Sequence, residues 1–286
     1  MNLSTAVLPP LAPDAAIDLQ LHTTHSDGSW TPDALLDYLR RARFGLAAVT
    51  DHDCVNTAVS LQQLAHAKRQ PLLIAAEMTT RWHGQLTDLL CFGFDPAHPA
   101  LNALAQDVQR RQRENSQEVI ENLQRQGFVF AADAAAAVLA QPGAQQPHAL
   151  IDLLKAHGHG QGDASAGQLL ARAGCRLATS DPAAVVDAAH QGGGVCLIAH
   201  PGRTDGFTTF DAPLLDQFRR EMPVDGLEVY YPLHTPEQTA MYRAYAERHD
   251  LLISAGSDSH GPDRPPIQYR AELCRRLLER LEIRIT

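Results

Sequence analysis

The sequence predicts an α/β protein with a barrel-like architecture, on three observations. Short apolar runs alternate with helical patterns from residue 17 onward, acidic and histidine residues recur where each strand pattern stops, and a strand-poor stretch over 99–180 interrupts the alternation. In parallel α/β barrels the edge formed by the strand C-termini carries the active site. The 286 residues allow one large domain or one with an insertion, and 44% hydrophobic with 20% charged residues supplies a sizeable core. We divide the chain into an N-terminal arm (1–16), a first barrel part (17–98), an inserted helical subdomain (99–180) and a second barrel part (181–286).

The arm is broken by Pro9, Pro10 and Pro13 and is given no chemistry. Residues 17–21 read as strand, 31–42 as helix and 46–50 as strand. The helix is signalled by Thr31 as N-cap, Pro32 in the first turn and Leu35, Leu36 and Leu39 on one face. A helix over 55–68 and strands at 72–75 and 89–94 continue the pattern. Helical patterns then cover 102–126, 148–157 and 166–173, in a segment rich in Gln, Arg and Ala. Strand signals return at 195–199, 226–230 and 251–254, separated by helices over 212–220 and 236–248.

The acidic balance, −9 at pH 7, gives no basic footprint for a long nucleic acid, although small phosphorylated ligands remain compatible. Five scattered cysteines without a C-x-x-C pair fit a reducing compartment and argue against thiolate zinc. No apolar run reaches the roughly 18–20 residues of a membrane span, so a cytoplasmic protein is expected; oligomeric state is not legible.

The strand ends carry Gln20, His22, His25, Ser26 and Asp27, then Asp51, His52 and Asp53, then Glu77, Asp88, His200, Glu228, Asp258 and His260. Gln20 and His22, two apart on a strand, point to one side, and Leu19 and Leu21 to the other. Imidazole and carboxylate without thiolate suit a multinuclear site for zinc, manganese or iron. Such ions generate hydroxide and clamp phosphoryl oxygens, so hydrolysis is the natural chemistry.

These residues resemble the polymerase-and-histidinol-phosphatase (PHP) family of metal-dependent phosphoesterases. Asp18-Leu19-Gln20-Leu21-His22-Thr23-Thr24-His25-Ser26-Asp27-Gly28 is similar to the family's D-L-H-x-H-T-x-x-S-D-G, and Thr50-Asp51-His52-Asp53 to its T-D-H-D. Ala76-Glu77, Ala199-His200-Pro201-Gly202-Arg203 and Gly256-Ser257-Asp258-Ser259-His260 follow in family order. The resemblance implies a distorted seven-stranded (β/α) barrel holding two or three divalent ions (Mn2+, Zn2+ or Fe2+). It implies one ion on His22, Glu77 and Asp258 with help from Gln20, a second on Asp27, His52 and His260, and a third between Glu77, His200 and Asp88. It implies a small phosphorylated substrate whose phosphate meets Arg203, a guanidinium fork matching two oxygens. Two family histidines are replaced here, by Gln20 and Asp88. The inserted segment has Gln146-Pro147-His148-Ala149-Leu150-Ile151 where nucleotide phosphatases of the family have R-x-H-F-A-R, so the histidine remains without its arginines.

His148 is therefore the candidate general acid and a substrate contact, with Arg203, Tyr230, Tyr231 and His234 as further contacts; aromatic packing under a loop is the competing reading of Tyr230, Tyr231 and His234. Asp51 joins the catalytic set as support behind a ligand, and Asp53 is assigned to capping the helix that follows. Asp88, beside an apolar run, would be costly if unpaired, which favours a metal. The expected activity is hydrolysis of a phosphate ester of a small metabolite or nucleotide. The alternatives are a 5′-3′ exonuclease of short RNA and a non-catalytic metal- or phosphate-binding module; an amidohydrolase ranks last.

Overall fold

The computed structural model describes residues 10–160 and 164–286; the first nine residues of the expected arm lie outside them. Of the rest of the arm, Leu11 is buried and bridges Ile285, donating to the Arg284 carbonyl at 2.8 Å. The elements run β1 (Ala16–Leu21), α1 (Pro32–Arg41), β2 (Leu46–Val49), α2 (Ala58–Lys68), β3 (Leu72–Leu73), β4 (Ala75–Met78), β5 (Arg81–Trp82), β6 (Gln85–Leu86) and β7 (Leu89–Phe92). Helices α3 (Pro99–Arg125), α4 (Ala132–Ala140), α5 (Gln146–Ala156), α6 (Ala166–Arg172) and α7 (Pro182–Gln191) follow. The chain ends with β8 (Val195–Ile198), α8 (Ala212–Glu221), β9 (Gly226–Tyr230), α9 (Pro236–Arg248), β10 (Leu252–Ala255), β11 (Tyr269–Arg270) and α10 (Arg275–Arg280). No helix among the described residues is long and apolar enough to cross a membrane.

The fold is mixed α/β, but the strands form two open sheets where one closed ladder was expected. One sheet has the order β11-β1-β2-β3 and the other β10-β9-β8-β7-β4, with β5 and β6 as a separate hairpin. Pairing is parallel within β1-β2-β3 and β8-β9-β10, whereas β7 runs antiparallel to both β4 and β8. The short hairpin β5–β6 between β4 and β7 accounts for this reversal, because a tight turn returns the chain antiparallel where a crossover helix would keep it parallel. The sheets meet at the strand C-termini through single bridges, Leu21 to Ser259 and His52 to Glu77.

Alternation along the strands sorts the core. On β7 and β8, Leu89, Cys91, Cys196 and Ile198 pack toward helices α3, α7, α8 and α9. Their neighbours Leu90, Phe92, Val195 and Leu197 pack with Ile17, Leu19, Leu46 and Leu73 of the other sheet. α1 buries Leu35, Leu36 and Leu39, and its Thr31 side chain accepts from the Ala34 N–H at 3.2 Å. The distal half of α3 with α4, α5 and α6 has its own cluster around Val119, Leu123, Leu150 and Leu154.

Candidate metal centre

Two local irregularities aim the polar side chains. Along β1 the pairing steps from Asp18 opposite Ala47 to Leu21 opposite Val49, so β1 carries one extra residue there. Leu19 and Leu21 therefore do not share a face: Leu19 joins the inter-sheet core and Leu21 the cluster under α1, which corrects the simple alternation. Gln20 and His22 are both fully buried in the interior. On β9 a similar shift, Glu228 opposite Ser254 and Tyr230 opposite Ala255, re-aims the strand end. His200 and Asp258 hold positive φ values of 28° and 53°, uncommon for residues with a Cβ and typical of sites that fix a side chain.

The nitrogens and carboxylates then converge. His22 Nε2 lies 3.1 Å from Glu77 Oε2 and 3.2 Å from Asp258 Oδ1, and its Nδ1 lies 3.7 Å from Asp27 Oδ1. Neither nitrogen has hydrogen-bond geometry to a partner. His52 Nε2 is 3.9 Å from Asp27 Oδ2 and 3.8 Å from Glu77 Oε2, while its Nδ1 is 3.3 Å from the Thr79 hydroxyl. His260 Nε2 is 3.3 Å from Asp27 Oδ2, and His200 Nε2 is 3.1 Å from Glu77 Oε1. Three sets bring one donor atom per residue within 4.8 Å: His22, Asp27, His52 and His260; His22, Glu77 and Asp258; His52, Glu77 and Asp88. His200 falls outside those sets although it touches Glu77, and His52 stands beside Asp88 where His200 was expected.

Gln20 takes the place of an imidazole without leaving. Its Nε2 donates to Glu77 Oε2 at 3.1 Å, while its Oε1 is buried without a partner. Glu228 accepts from the His200 N–H at 3.0 Å through one oxygen and leaves the other unpartnered.

Burial opposes charge on every one of these groups, and the outcome depends on the neighbours. For His22 the Asp258 and Glu77 carboxylates outweigh burial and raise its pKa well above the ordinary value. For His52 burial wins over Glu77 and Asp27, and its pKa falls. Glu77 is held well below the usual carboxylate range, against burial, by His52, His200 and His22. Asp88 and Glu228 are pushed well above it, by burial first and then by neighbouring carboxylates. Buried carboxylates and imidazoles crowded nitrogen to oxygen, several without a hydrogen-bond partner, are costly alone and are the donor arrangement a divalent cation satisfies. The residues fit such ions.

A cavity of about 910 Å³ opens over this face, lined by Asp27, His52, Asp88, Asp258 and His260. Arg203 and His148 line it as well. Arg203 donates from Nε and Nη2 to Asp205 at 2.6 and 2.9 Å, and its guanidinium lies 4.1 Å from the Phe207 ring centre. Three expectations change, and Asp51 lies behind the loop that carries His22 and Asp27. Tyr230 packs among core residues and does not line the cavity; Tyr231 does, its hydroxyl 3.3 Å from Asp258 Oδ2. His234 has both nitrogens engaged, with the Val229 carbonyl and the Gly202 N–H, each at 3.1 Å, so it holds the Gly202 turn. Asp51 accepts from the Thr23 N–H, the Thr23 hydroxyl and the Ser26 hydroxyl at 2.6 to 2.8 Å and faces the 22–27 loop instead of the cavity. Asp53 caps no helix: it takes a φ of 52° and accepts from the Thr79 N–H at 3.2 Å.

Three positions escaped sequence reasoning. Arg264 lines the cavity and donates to the Asp258 carbonyl. Thr79 orients His52, and Asp18 accepts from the Ser257 and Ile267 N–H groups, both at 2.9 Å, which ties β1 to the loop after β10. Arg264 had a readable signal in its place four residues after His260, and Asp18 one in opening the first motif, though no role was given to it; Thr79 had none.

No protein-family profile matches the chain. It is 28% identical to a 3′,5′-nucleoside bisphosphate phosphatase of Chromobacterium violaceum, over 95% of this chain and 98% of that one. It is 30% identical to the 5′-3′ exoribonuclease Rnm of Escherichia coli, over 86% of this chain and 85% of that one. A crystal structure described as a putative metal-dependent phosphoesterase of Bifidobacterium adolescentis superposes with a TM-score of 0.72 at 25% identity, over 94% and 97% of the two chains. With the ordered motifs gathered on one cavity, these likenesses establish that the chain is a hydrolase of phosphate esters and belongs to the PHP family of metal-dependent phosphoesterases.

Proposed function

We propose that the protein is a phosphatase removing a phosphate from a small nucleotide, with two or three ions of Mn2+, Zn2+ or Fe2+ held by His22, Asp27, His52, Glu77, Asp88, His200, Asp258 and His260. The observation that carries this reading is the convergence of three donor sets on the floor of one cavity. Ions there supply an ionised water at neutral pH and positive charge for the phosphoryl oxygens. Gln20 offers its unpartnered Oε1 to the same cluster.

The side chains of the chain divide the remaining work. Arg203, its plane fixed by Asp205 and Phe207, presents its free Nη1 to a phosphate oxygen. To His148, at the start of α5 and on the cavity lining, we assign the proton for the departing oxygen. Leu86, Ala144, Pro147, Leu177, Phe207 and Leu233 add apolar surface to the cavity lining, which suits a ring such as a nucleobase. We further read the two sheets as halves of one distorted seven-stranded barrel; the bonds from the Glu77 N–H to the Thr50 carbonyl (3.1 Å) and from the Asp258 N–H to the Gln20 carbonyl (3.0 Å) support it. Residues 99–180 are then a helical insertion that roofs the site.

The relatives named for exoribonuclease activity favour a second reading, short RNA. The manganese-loaded protein is assayed on a nucleoside 3′,5′-bisphosphate and on 5′-phosphorylated RNA of two to ten nucleotides. A phosphatase turns over the bisphosphate fastest and loses rate with length; a rate that holds or rises with length assigns the exonuclease. Metal-dependent stabilisation without turnover of any ester overturns both.

A further inference from the structure

We infer that Arg264 is a specificity-determining residue that binds a second, non-reacting phosphate of the substrate; the inference rests on the phosphatase reading above. Arg203 and Arg264 are the only guanidinium or ammonium groups among the described residues lining the cavity. The two are not equivalent. Arg203 has Nε and Nη2 occupied by Asp205. Arg264 uses Nη2 alone, on the Asp258 carbonyl and, at 3.4 Å, on Asp258 Oδ2, and among the described residues its Nε and Nη1 have no partner.

That geometry decides which phosphate it meets. The Nη2 corner of the planar guanidinium is held against Asp258, a member of the donor sets, while Arg264 lines the cavity, so its Nε and Nη1 are the groups left to meet a ligand there. With Nη2 taken up beside the cluster, a phosphate met by Nε and Nη1 would be a neighbour of the reacting one. The backbone at Arg264 is held by a short turn, its N–H donating to the Gly261 carbonyl at 3.1 Å, so the fork is presented from a fixed base. From the helical segment and the loop after it, the cavity receives Ala144, Pro147, His148 and Leu177, none of them a permanent cation. The charge of a second phosphate is therefore met by Arg264.

The experiment compares wild type, Arg264→Gln and Arg264→Lys, all manganese-loaded, on a nucleoside 3′,5′-bisphosphate and on a simple aryl monophosphate. Arg264→Gln is expected to lower kcat/KM for the bisphosphate by about tenfold to a hundredfold, chiefly through KM, the cost of one charge-assisted contact. The monophosphate changes by less than about threefold, metal content stays at the wild-type value, and Arg264→Lys recovers part of the loss. Equal losses on both esters, or loss of metal, would overturn the assignment and make Arg264 a support for Asp258. Wild type inactive on both esters is a separate result, which removes the phosphatase reading itself and with it the role of Arg264.

Discussion

At the residue scale, the groups that look catalytic in the sequence divide into those that face the cavity and those that hold its walls. His234 belongs to the walls. Burial lowers its pKa from the ordinary 6.5 to about 4, helped by His200 and opposed by the Val229 carbonyl. A depressed histidine pKa means that the neutral ring stabilises the fold above pH 6.5, and this contribution disappears as pH falls through about 4. Discounted for partial exposure, the loss is about 2 kcal/mol. Urea denaturation between pH 7 and 4 is expected to show that slope in wild type and a shallower one in His234→Gln; identical slopes would remove the buried histidine from the account. Asp51 makes the same point from the opposite charge. Its replacement by Ala leaves the Thr23 N–H and hydroxyl without an acceptor and the Ser26 hydroxyl with Asp27 Oδ1 alone, at 3.2 Å, so stability should fall by about 2 kcal/mol, and metal affinity with it. A variant as stable as wild type in urea, with wild-type metal binding, contradicts this.

At the element scale, the site depends on turns that leave no room for a side chain. A Cβ on Gly28 would come within 2.5 Å of the His22 carbonyl oxygen and 2.8 Å of the Thr23 nitrogen, both backbone atoms. Gly28→Ala must therefore displace the segment carrying His22 and Asp27, and metal affinity should drop by about tenfold or more with the circular dichroism unchanged. Calorimetric titration with Mn2+ checks it, and wild-type affinity would count against a rigid loop. Strand ends were legible for a related reason. A buried strand that stops in Asp, His or Glu has nowhere to place the charge except an edge, so His22, His52, Glu77, His200 and Asp258 could be placed in order. Which way each side chain turns was not legible where the register slips. The extra residue in β1 separates Leu19 from Leu21, and the shift in β9 brings Tyr231 to the cavity in place of Tyr230. The direction of β7 was also hidden, because it depends on the two-residue strands β5 and β6, too short to leave an apolar period.

At the scale of the whole molecule, the donor cluster is a weak point of the metal-free chain and a strong one of the loaded chain. Fully buried Gln20, His22 and Glu77 lie at the C-terminal edge of the seam, where isolated bridges and a few hydrogen bonds join the two sheets above their shared apolar core. Ions bound there would link His22, just after β1, and His52, in the loop after β2, to Glu77, Asp258 and His260 across that seam, so they should stabilise the entire fold and not one loop. At a thousandfold excess over Kd the linkage is worth about 4 kcal/mol, which for a chain of this size raises Tm by roughly 8–16 °C. Glu77 contributes to two of the three donor sets, so Glu77→Gln, which keeps the shape and removes the charge, should cut the shift to less than half while leaving the metal-free Tm within a few degrees. Differential scanning calorimetry with and without Mn2+ separates the possibilities. Equal shifts in wild type and variant would place the stabilising ions elsewhere, whereas a variant already unfolded without metal would show that Glu77 holds the seam through His22 and His200 even in the absence of ions.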